Sequence, residues 1–162
     1  MSDQHDNPGV IIWPPFVALG TLLLGFALNW AAPTFVLRIL LSFEMRVLFG
    51  FLLVAGGVAL AVAAVRTFHE AGTNVAPSQP ALRLATSGVY THLRNPMYVG
   101  LGLIVGGIGL GFASDWTLVL IVPAALVIHY GVVLREEDYL TQTFGDAYRH
   151  YMETVPRYGW PV

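Results

Sequence analysis

The sequence predicts an all-α membrane protein, a polytopic bundle of about four transmembrane helices plus a cytoplasmic C-terminal amphipathic helix. Three observations support this fold class. The 162 residues are 56% hydrophobic and 11% charged, whereas about a quarter of the residues in soluble domains are charged. Four stretches approach the roughly 20 apolar residues that a membrane helix needs. The polar C-terminal part has apolar residues at helical spacing. The length suits one domain, residues 1–162.

The first two predicted spans are generic apolar helices. One lies near 15–35, because Pro14 and Pro15 suit the first turn of a helix. The other covers 47–65 and ends at Arg66. The opening MSDQHDNPGV has no lysine or arginine, so we expect no cleavable secretory signal and a retained first span.

The third and fourth predicted spans, 95–114 and 116–134, form a tight helical hairpin. Gly111, Ser114 and Asp115 mark the turn between them.

Two polar segments flank this hairpin. Residues 66–94 contain helix breakers and predict a loop, with Gly72, Asn74, Pro77, Ser78 and Pro80. The tail predicts an amphipathic helix to about 152, which Pro156 ends. Its apolar positions are Tyr139, Leu140, Phe144, Ala147, Tyr148 and Tyr151.

The arginine distribution predicts the orientation in the membrane. Only Arg38 and Arg46 lie on the side opposite the two polar segments. The polar segments carry Arg66, Arg83, Arg94, Arg135, Arg149 and Arg157. The positive-inside rule places these segments and both termini in the cytoplasm.

Composition excludes several kinds of chemistry. The chain has no cysteine and no lysine, which excludes disulfides, zinc thiolates, cysteine nucleophiles and Schiff bases. No metal site is predicted. A net charge of −2 argues against a nucleic-acid partner.

A polar cluster lies at the start of the third span. It comprises Tyr90, His92, Arg94, Asn95, Pro96 and Tyr98. One interpretation is an interfacial belt, since tyrosine and arginine gather at membrane surfaces. The other is a site that holds a charged ligand against the bilayer.

A second cluster, Arg135 to Asp138, lies where the fourth span ends. A carboxylate in the membrane is costly, so Glu136 needs a cationic partner if it lies below the surface. Arg94 or a cationic ligand could fill that role. His129 is an ionisable residue within a span; it is either functional or bonded to neighbouring backbone.

Glycines are abundant in the second and third spans. They are Gly56, Gly57, Gly100, Gly102, Gly106, Gly107 and Gly109. We expect close helix packing, which also permits a dimer; a ligand between helices is the alternative.

Three ordered motifs carry a family resemblance. They are T-S-G-V-Y-x-x-x-R-N-P-M-Y-V-G, R-E-E-D-Y-L, and F-G-D-A-Y-x-x-Y followed by V-P-R. This pattern, over about residues 72–157, resembles the isoprenylcysteine carboxyl methyltransferase and phospholipid methyltransferase superfamily. The two N-terminal spans in 1–66 are predicted from their apolar runs alone, and the resemblance implies a cofactor-binding half in 67–162.

The resemblance also implies S-adenosylmethionine as cofactor and a lipophilic small-molecule or lipid-like acceptor that enters from the bilayer. Arg94 and Glu137 are the predicted catalytic residues. The predicted cofactor-binding residues are Leu82, Arg83, Leu84, Ala85, Tyr90, Asn95, Pro96, Met97, Tyr98 and Glu136. Tyrosine faces suit a sulfonium, and a glutamate suits an ammonium group.

Two positions depart from the family pattern. Asn95 replaces the usual histidine, and an amide cannot titrate. Val132 stands where prenylcysteine enzymes have a substrate-binding arginine, which argues against a prenylcysteine carboxylate. The acceptor stays open among carboxylate, amine, thiol and phenol. The alternatives are an NADPH-binding membrane reductase of the sterol-reductase type and a non-catalytic membrane protein.

Overall fold

The computed structural model describes residues 8–75 and 79–159, and this part of the chain is helical without strands. A 3₁₀ helix, Gly88–Thr91, precedes α4, and a π-helix, His129–Val133, joins α5 to α6. The α-helices are α1 Pro14–Ala31, α2 Val36–Leu40, α3 Phe43–Ala71, α4 Pro96–Gly111, α5 Asp115–Ile128, α6 Leu134–Phe144 and α7 Asp146–Thr154.

Three helical stretches are long and apolar enough to cross a membrane. They are Pro14–Ala31, Phe43–Ala71 and the continuous run Asp115–Phe144. The apolar helix α4 is shorter, with 16 residues, or about 24 Å at 1.5 Å per residue. The predicted fold class, a helical membrane bundle, is confirmed.

The ends of α1 and α3 differ from the predicted spans. Helix α1 stops at Ala31, not 35, because Pro33 disfavours helical backbone at Ala32. Helix α3 begins after Ser42, whose side chain accepts a hydrogen bond from the Met45 amide. It continues to Ala71, well past Arg66, because polar residues end a membrane span without ending a helix.

The predicted loop 66–94 therefore begins at Gly72, whose φ of 69° terminates α3. This loop also contains the short 3₁₀ helix. Residues 76–78 of the loop, and the predicted cytoplasmic termini at 1–7 and 160–162, lie outside the described residues.

The fourth span and the tail are helical, with a π-helix at His129–Val133 and a break in the helix at Gly145. The chain passes from α5 through the π-helix into α6 without leaving helical backbone. The predicted single helix to 152 is wrong: Gly145, at φ 56°, separates α6 from α7. Helix α7 ends at Thr154, two residues before Pro156.

Helices α3 and α4 pack backbone to backbone. Gly50 and Gly57 lie two turns apart on α3, as Gly100 and Gly107 do on α4, so each pair occupies one face. A Cβ on Gly57 would lie 2.5 Å from the Gly100 carbonyl oxygen, and one on Gly107 would lie 2.6 Å from that of Gly50. The expected close packing by glycine holds on this face.

Hydrogen bonds fix the end of the bundle at which α4 and α5 meet. Asp115 accepts hydrogen bonds from the amides of Val36 and Leu37, at 3.0 and 2.9 Å. The Trp116 indole donates to the Ala32 carbonyl at 2.7 Å.

The opposite end, which we call the polar end, carries the loop segments 72–75 and 79–95, α7 and residues 155–159. Its buried cluster is aromatic: the Tyr90 ring stacks on Phe68 at 5.1 Å, and Tyr148 and Tyr151 pack against the same core. The Tyr151 hydroxyl donates to the Tyr90 carbonyl at 2.7 Å. Helix α7 is thereby fastened over the loop, and the polar segments of the chain meet there.

Candidate active site

A cavity of about 110 Å³ lies at the polar end, between the loop and the ends of α3, α4, α6 and α7. We call it the polar cavity. Every predicted site residue except Leu82 lines it. Those residues are Arg83, Leu84, Ala85, Tyr90, Arg94, Asn95, Pro96, Met97, Tyr98, Glu136 and Glu137.

Leu82 is the predicted site residue that lies outside the cavity lining. Its side chain is 62% exposed, although its neighbours Arg83, Leu84 and Ala85 reach the cavity. The Thr73 hydroxyl oxygen accepts from the amides of Leu82 and Arg83, at 3.0 and 3.3 Å. These bonds hold the Leu82 backbone while its side chain points away from the cavity.

Two neighbouring acids on α6 have opposite environments. Glu137 is 7% exposed and pairs with two arginines. Arg157 donates two hydrogen bonds to its carboxylate, at 2.9 and 2.6 Å. Arg94 Nη1 lies 2.9 Å from Glu137 Oε1, at ion-pair distance. The hydrogen bonds from Arg157 also raise the pKa of its own guanidinium.

Glu136 faces the cavity with a neutral partner. It accepts a hydrogen bond from the Tyr98 hydroxyl at 2.7 Å. No arginine or histidine pairs with it among the ion pairs within residues 8–75 and 79–159. Of the two partners that the sequence allowed, Arg94 is committed to Glu137, and a cationic ligand is left.

Tyr90 presents a second group without a protein partner. The residue is 5% exposed, and its hydroxyl is buried without a hydrogen bond to any described residue. Its burial raises the pKa of the phenol far above the ordinary value, so it stays neutral. A buried polar atom without a partner is costly, so this hydroxyl is suited to a ligand.

Asn95 and Arg94 fasten the C-terminal segment to the start of α4. The Arg94 amide donates to the Pro156 carbonyl at 2.9 Å. The Asn95 amide nitrogen donates to the Arg157 carbonyl at 3.3 Å. His92, part of the same sequence cluster, lies outside the cavity lining, and its Nδ1 is 2.8 Å from the Thr91 hydroxyl.

The sequence did not assign several residues to this site. Phe68, Thr73, Tyr139 and Tyr148 also line the cavity. The signal for Tyr148 was ambiguous, because a tyrosine at helical spacing also fits an apolar helix face. Arg157 stood in the V-P-R motif without a role, and its pairing with Glu137 spans 20 residues.

A second cavity of about 790 Å³ lies between α1, α4, α5 and residues 158–159. We call it the apolar cavity, because its walls are mainly aliphatic. Tyr98 lines both cavities.

His129 lines the apolar cavity as well. The sequence left its partner open between neighbouring backbone and function. The structure pairs its Nδ1 with the Tyr158 hydroxyl at 2.8 Å, so the expectation of a backbone partner is wrong. Val132, at the position of the family arginine, is fully buried.

A family model described as "Phospholipid methyltransferase" matches residues 45–147, more than half of the chain. No curated protein and no solved structure matches this chain. The family match covers most of the polar-cavity lining and ends before Tyr148, Tyr151 and the C-terminal segment.

Proposed function

Because the chain belongs to the phospholipid methyltransferase family, and is an integral membrane protein by its helices, we propose that it uses S-adenosylmethionine to methylate a lipophilic acceptor. The proposal places the reaction at the cytoplasmic membrane surface, where the arginine distribution puts the polar end and both termini.

The observation that carries the proposal is the contrast between Glu136 and Glu137. Both acids line the polar cavity, but Arg94 and Arg157 both pair with Glu137. Glu136 keeps a carboxylate whose side-chain partner is a neutral phenol. An amino-acid ammonium group supplies the missing positive charge through a charge-assisted hydrogen bond.

The other cavity residues fit the rest of such a cofactor. S-adenosylmethionine supplies a methyl group activated on a positively charged sulfur. The rings of Tyr90 and Tyr98 can hold positive charge by cation–π attraction. The Tyr90 hydroxyl offers an unused hydrogen-bonding group, and the loop residues Arg83 to Ala85 line the same cavity.

The remaining polar residues shape the site. Glu137 ties α6 to Arg94, at the start of α4, and to Arg157 in the C-terminal segment. The Asn95 amide holds the same segment, a role that needs no titrating group. Together they fix the relative positions of α4, α6 and the C-terminal segment, and positioning supplies much of the catalysis in a direct transfer.

Calorimetric titration of the detergent-purified chain with S-adenosylhomocysteine tests the cofactor. We expect wild type to bind, and Glu136→Gln to bind about 10- to 100-fold more weakly, because hydrogen bonds to charged groups contribute about 1.5–3 kcal/mol. Tyr98→Phe should weaken binding about tenfold. Asp138→Asn is the matched control, since Asp138 is an exposed acid on the same helix.

Two results would contradict the proposal. One is unchanged affinity in Glu136→Gln with wild-type thermal unfolding. The other is binding of NADPH in place of S-adenosylhomocysteine, which would favour the reductase alternative. If folded wild type bound neither compound, the non-catalytic alternative would stand.

A further inference from the structure

The apolar cavity concentrates its polar groups at one end. Tyr98 lies in the first turn of α4, His129 directly follows α5, and Tyr158 belongs to the C-terminal segment, so all three lie at the polar end of the bundle. Farther along the cavity, the Thr21 hydroxyl donates to the Val17 carbonyl at 2.7 Å. The cavity therefore suits a molecule with a long apolar part and a small polar head.

His129 is held in a defined orientation at that polar end. Its Nδ1 contacts the Tyr158 hydroxyl at 2.8 Å, and its ring packs edge-on against Tyr130 at 4.8 Å. Nε2 makes no hydrogen bond to the described residues. When Nδ1 donates its proton to Tyr158, Nε2 keeps a lone pair that can accept a proton.

The backbone changes at the same residue. The π-helix begins at His129, and single π turns in long helices occur frequently at functional sites. This local widening coincides with the pairing of His129 and Tyr158, which are 29 residues apart in the chain.

The charges near the cavity restrict the head group. No Asp, Glu, Lys or Arg belongs to the cavity lining within the described part of the chain. The arginines that could serve an anionic head are engaged: Arg94 pairs with Glu137, and Arg135 donates to the Gly9 carbonyl at 3.3 Å. A buried charge without a counter-charge is costly, so the lining favours a neutral head.

From this arrangement we propose that the apolar cavity binds a long-chain phenol and that His129, oriented by Tyr158, accepts the phenol's proton. The inference rests on the proposed methyltransferase function. The aromatic rings of Tyr98, Tyr130 and Tyr158 line the same end and favour an aromatic head group. Histidine is the residue that most often acts as a general base in proteins.

The proton balance explains why a base is needed. Methylating a neutral phenol breaks its O–H bond and forms an O–C bond with the electron pair of the oxygen. The bonding pair of the donor's carbon–sulfur bond stays on sulfur, which becomes an uncharged thioether. The released proton is accepted by His129 Nε2. Tyr98, shared by both cavities, places the acceptor head next to the cofactor site.

The test uses the purified full chain without cofactor and a nitrophenol with a long alkyl chain, whose ionised form absorbs visible light. We expect wild type to bind the probe and to ionise it at a pH at which the same detergent alone leaves it neutral. In His129→Gln the ionised fraction should fall about tenfold. Tyr158→Phe should give a smaller decrease, and Asp138→Asn, which changes an exposed acid outside the cavity lining, should behave as wild type.

A cavity-filling variant tests the location. A Cβ on Gly102 would meet no atom within 4 Å, and Gly102 lines the apolar cavity, so Gly102→Leu should fold and abolish probe binding. Three other titratable side chains, Tyr98, Tyr130 and Tyr158, line the cavity with His129. The pH dependence of probe ionisation is interpreted with their titration taken into account. The lining residues of α1 do not ionise.

The outcomes separate this inference from the proposed function. Loss of probe ionisation in His129→Gln with unchanged S-adenosylhomocysteine binding supports it, as does a kcat/KM about 100-fold lower for a phenol acceptor. Equal ionisation in wild type and His129→Gln would overturn it. So would stronger binding of an alkylammonium or alkylcarboxylate of the same chain length. Probe ionisation without S-adenosylhomocysteine binding would refute the proposed function and leave this site standing.

Discussion

The two faces of helix α4 use small residues in opposite ways. Towards α3, Gly100 and Gly107 bring the helix backbones into contact and leave no room for a methyl group. Towards α1 and α5, Gly102 faces open space, and the apolar cavity of about 790 Å³ lies there. The same residue type therefore packs one face closely and leaves room for a ligand on the other. The polar cavity lies at the N-terminal end of α4.

The largest expected effect comes from breaking the ion pairs of the polar end. Glu137→Gln leaves Arg94 buried and without its counter-charge, and removing one partner of a buried pair typically costs about 3–5 kcal/mol. We expect a decrease of this size in the free energy of unfolding, measured by denaturant titration in detergent. Asp138→Asn, an exposed acid beside it, should leave stability unchanged, and equal stability of the two variants would contradict the buried pairing.

A smaller effect should distinguish the two faces of α4 directly. In Gly107→Leu the new side chain meets the Gly50 carbonyl oxygen and Val54, and overpacking of this kind typically costs about 1–3 kcal/mol. Gly102→Leu, which enters open space, should change the free energy of unfolding little. If thermal unfolding showed equal destabilisation by both substitutions, the contrast between the faces would be wrong.

The smallest expected effect is an alkaline loss of stability from the buried phenols of the polar end. Burial raises the pKa of Tyr148 from 10.0 to about 12. Above pH 10 the unfolded chain loses this proton and the folded chain keeps it, so stability is full below pH 10 and is lost as the pH rises towards 12. At about pH 11 the loss is about 1.4 kcal/mol.

Unfolding free energies of wild type and Tyr148→Phe at about pH 8 and about pH 11 measure this contribution. Wild type should lose more stability than the variant over that interval. Tyr90, Tyr151 and Tyr158, whose pKa values burial also raises, add to the loss in both proteins. Identical losses in the two proteins would contradict the shift at Tyr148.

The sequence was informative where a motif kept its residues close together. The run from Arg94 to Tyr98 and the acidic pair on α6 predicted the polar cavity, because their spacing places them at the same end of adjacent helices. Leu82 lies outside the cavity lining, because the path of a loop backbone does not determine on which side each side chain lies. The extension of α3 past Arg66 was missed because charge marks the membrane boundary and not the end of a helix.

Long-range pairings could not be read from the sequence. Arg157 and Glu137, or His129 and Tyr158, are brought together only by the path of the C-terminal segment. The sequence left a ligand between helices as an alternative but could not place the apolar cavity, because Gly102 and Gly107 are the same residue type and differ only in which atoms face them. The catalytic roles of Arg94 and Glu137 stay predictions.

The shortness of α4 has a consequence for the surrounding lipid. Its 16 residues span about 24 Å, against a hydrocarbon core of roughly 30 Å, while the neighbouring α3 has 29 residues. Hydrophobic mismatch of this kind makes lipid thin locally around the shorter helix. Under the proposed function, bilayer thickness then sets how far an acceptor's head group must travel to Tyr98, so acyl-chain length of the host membrane should influence turnover with no change in the protein.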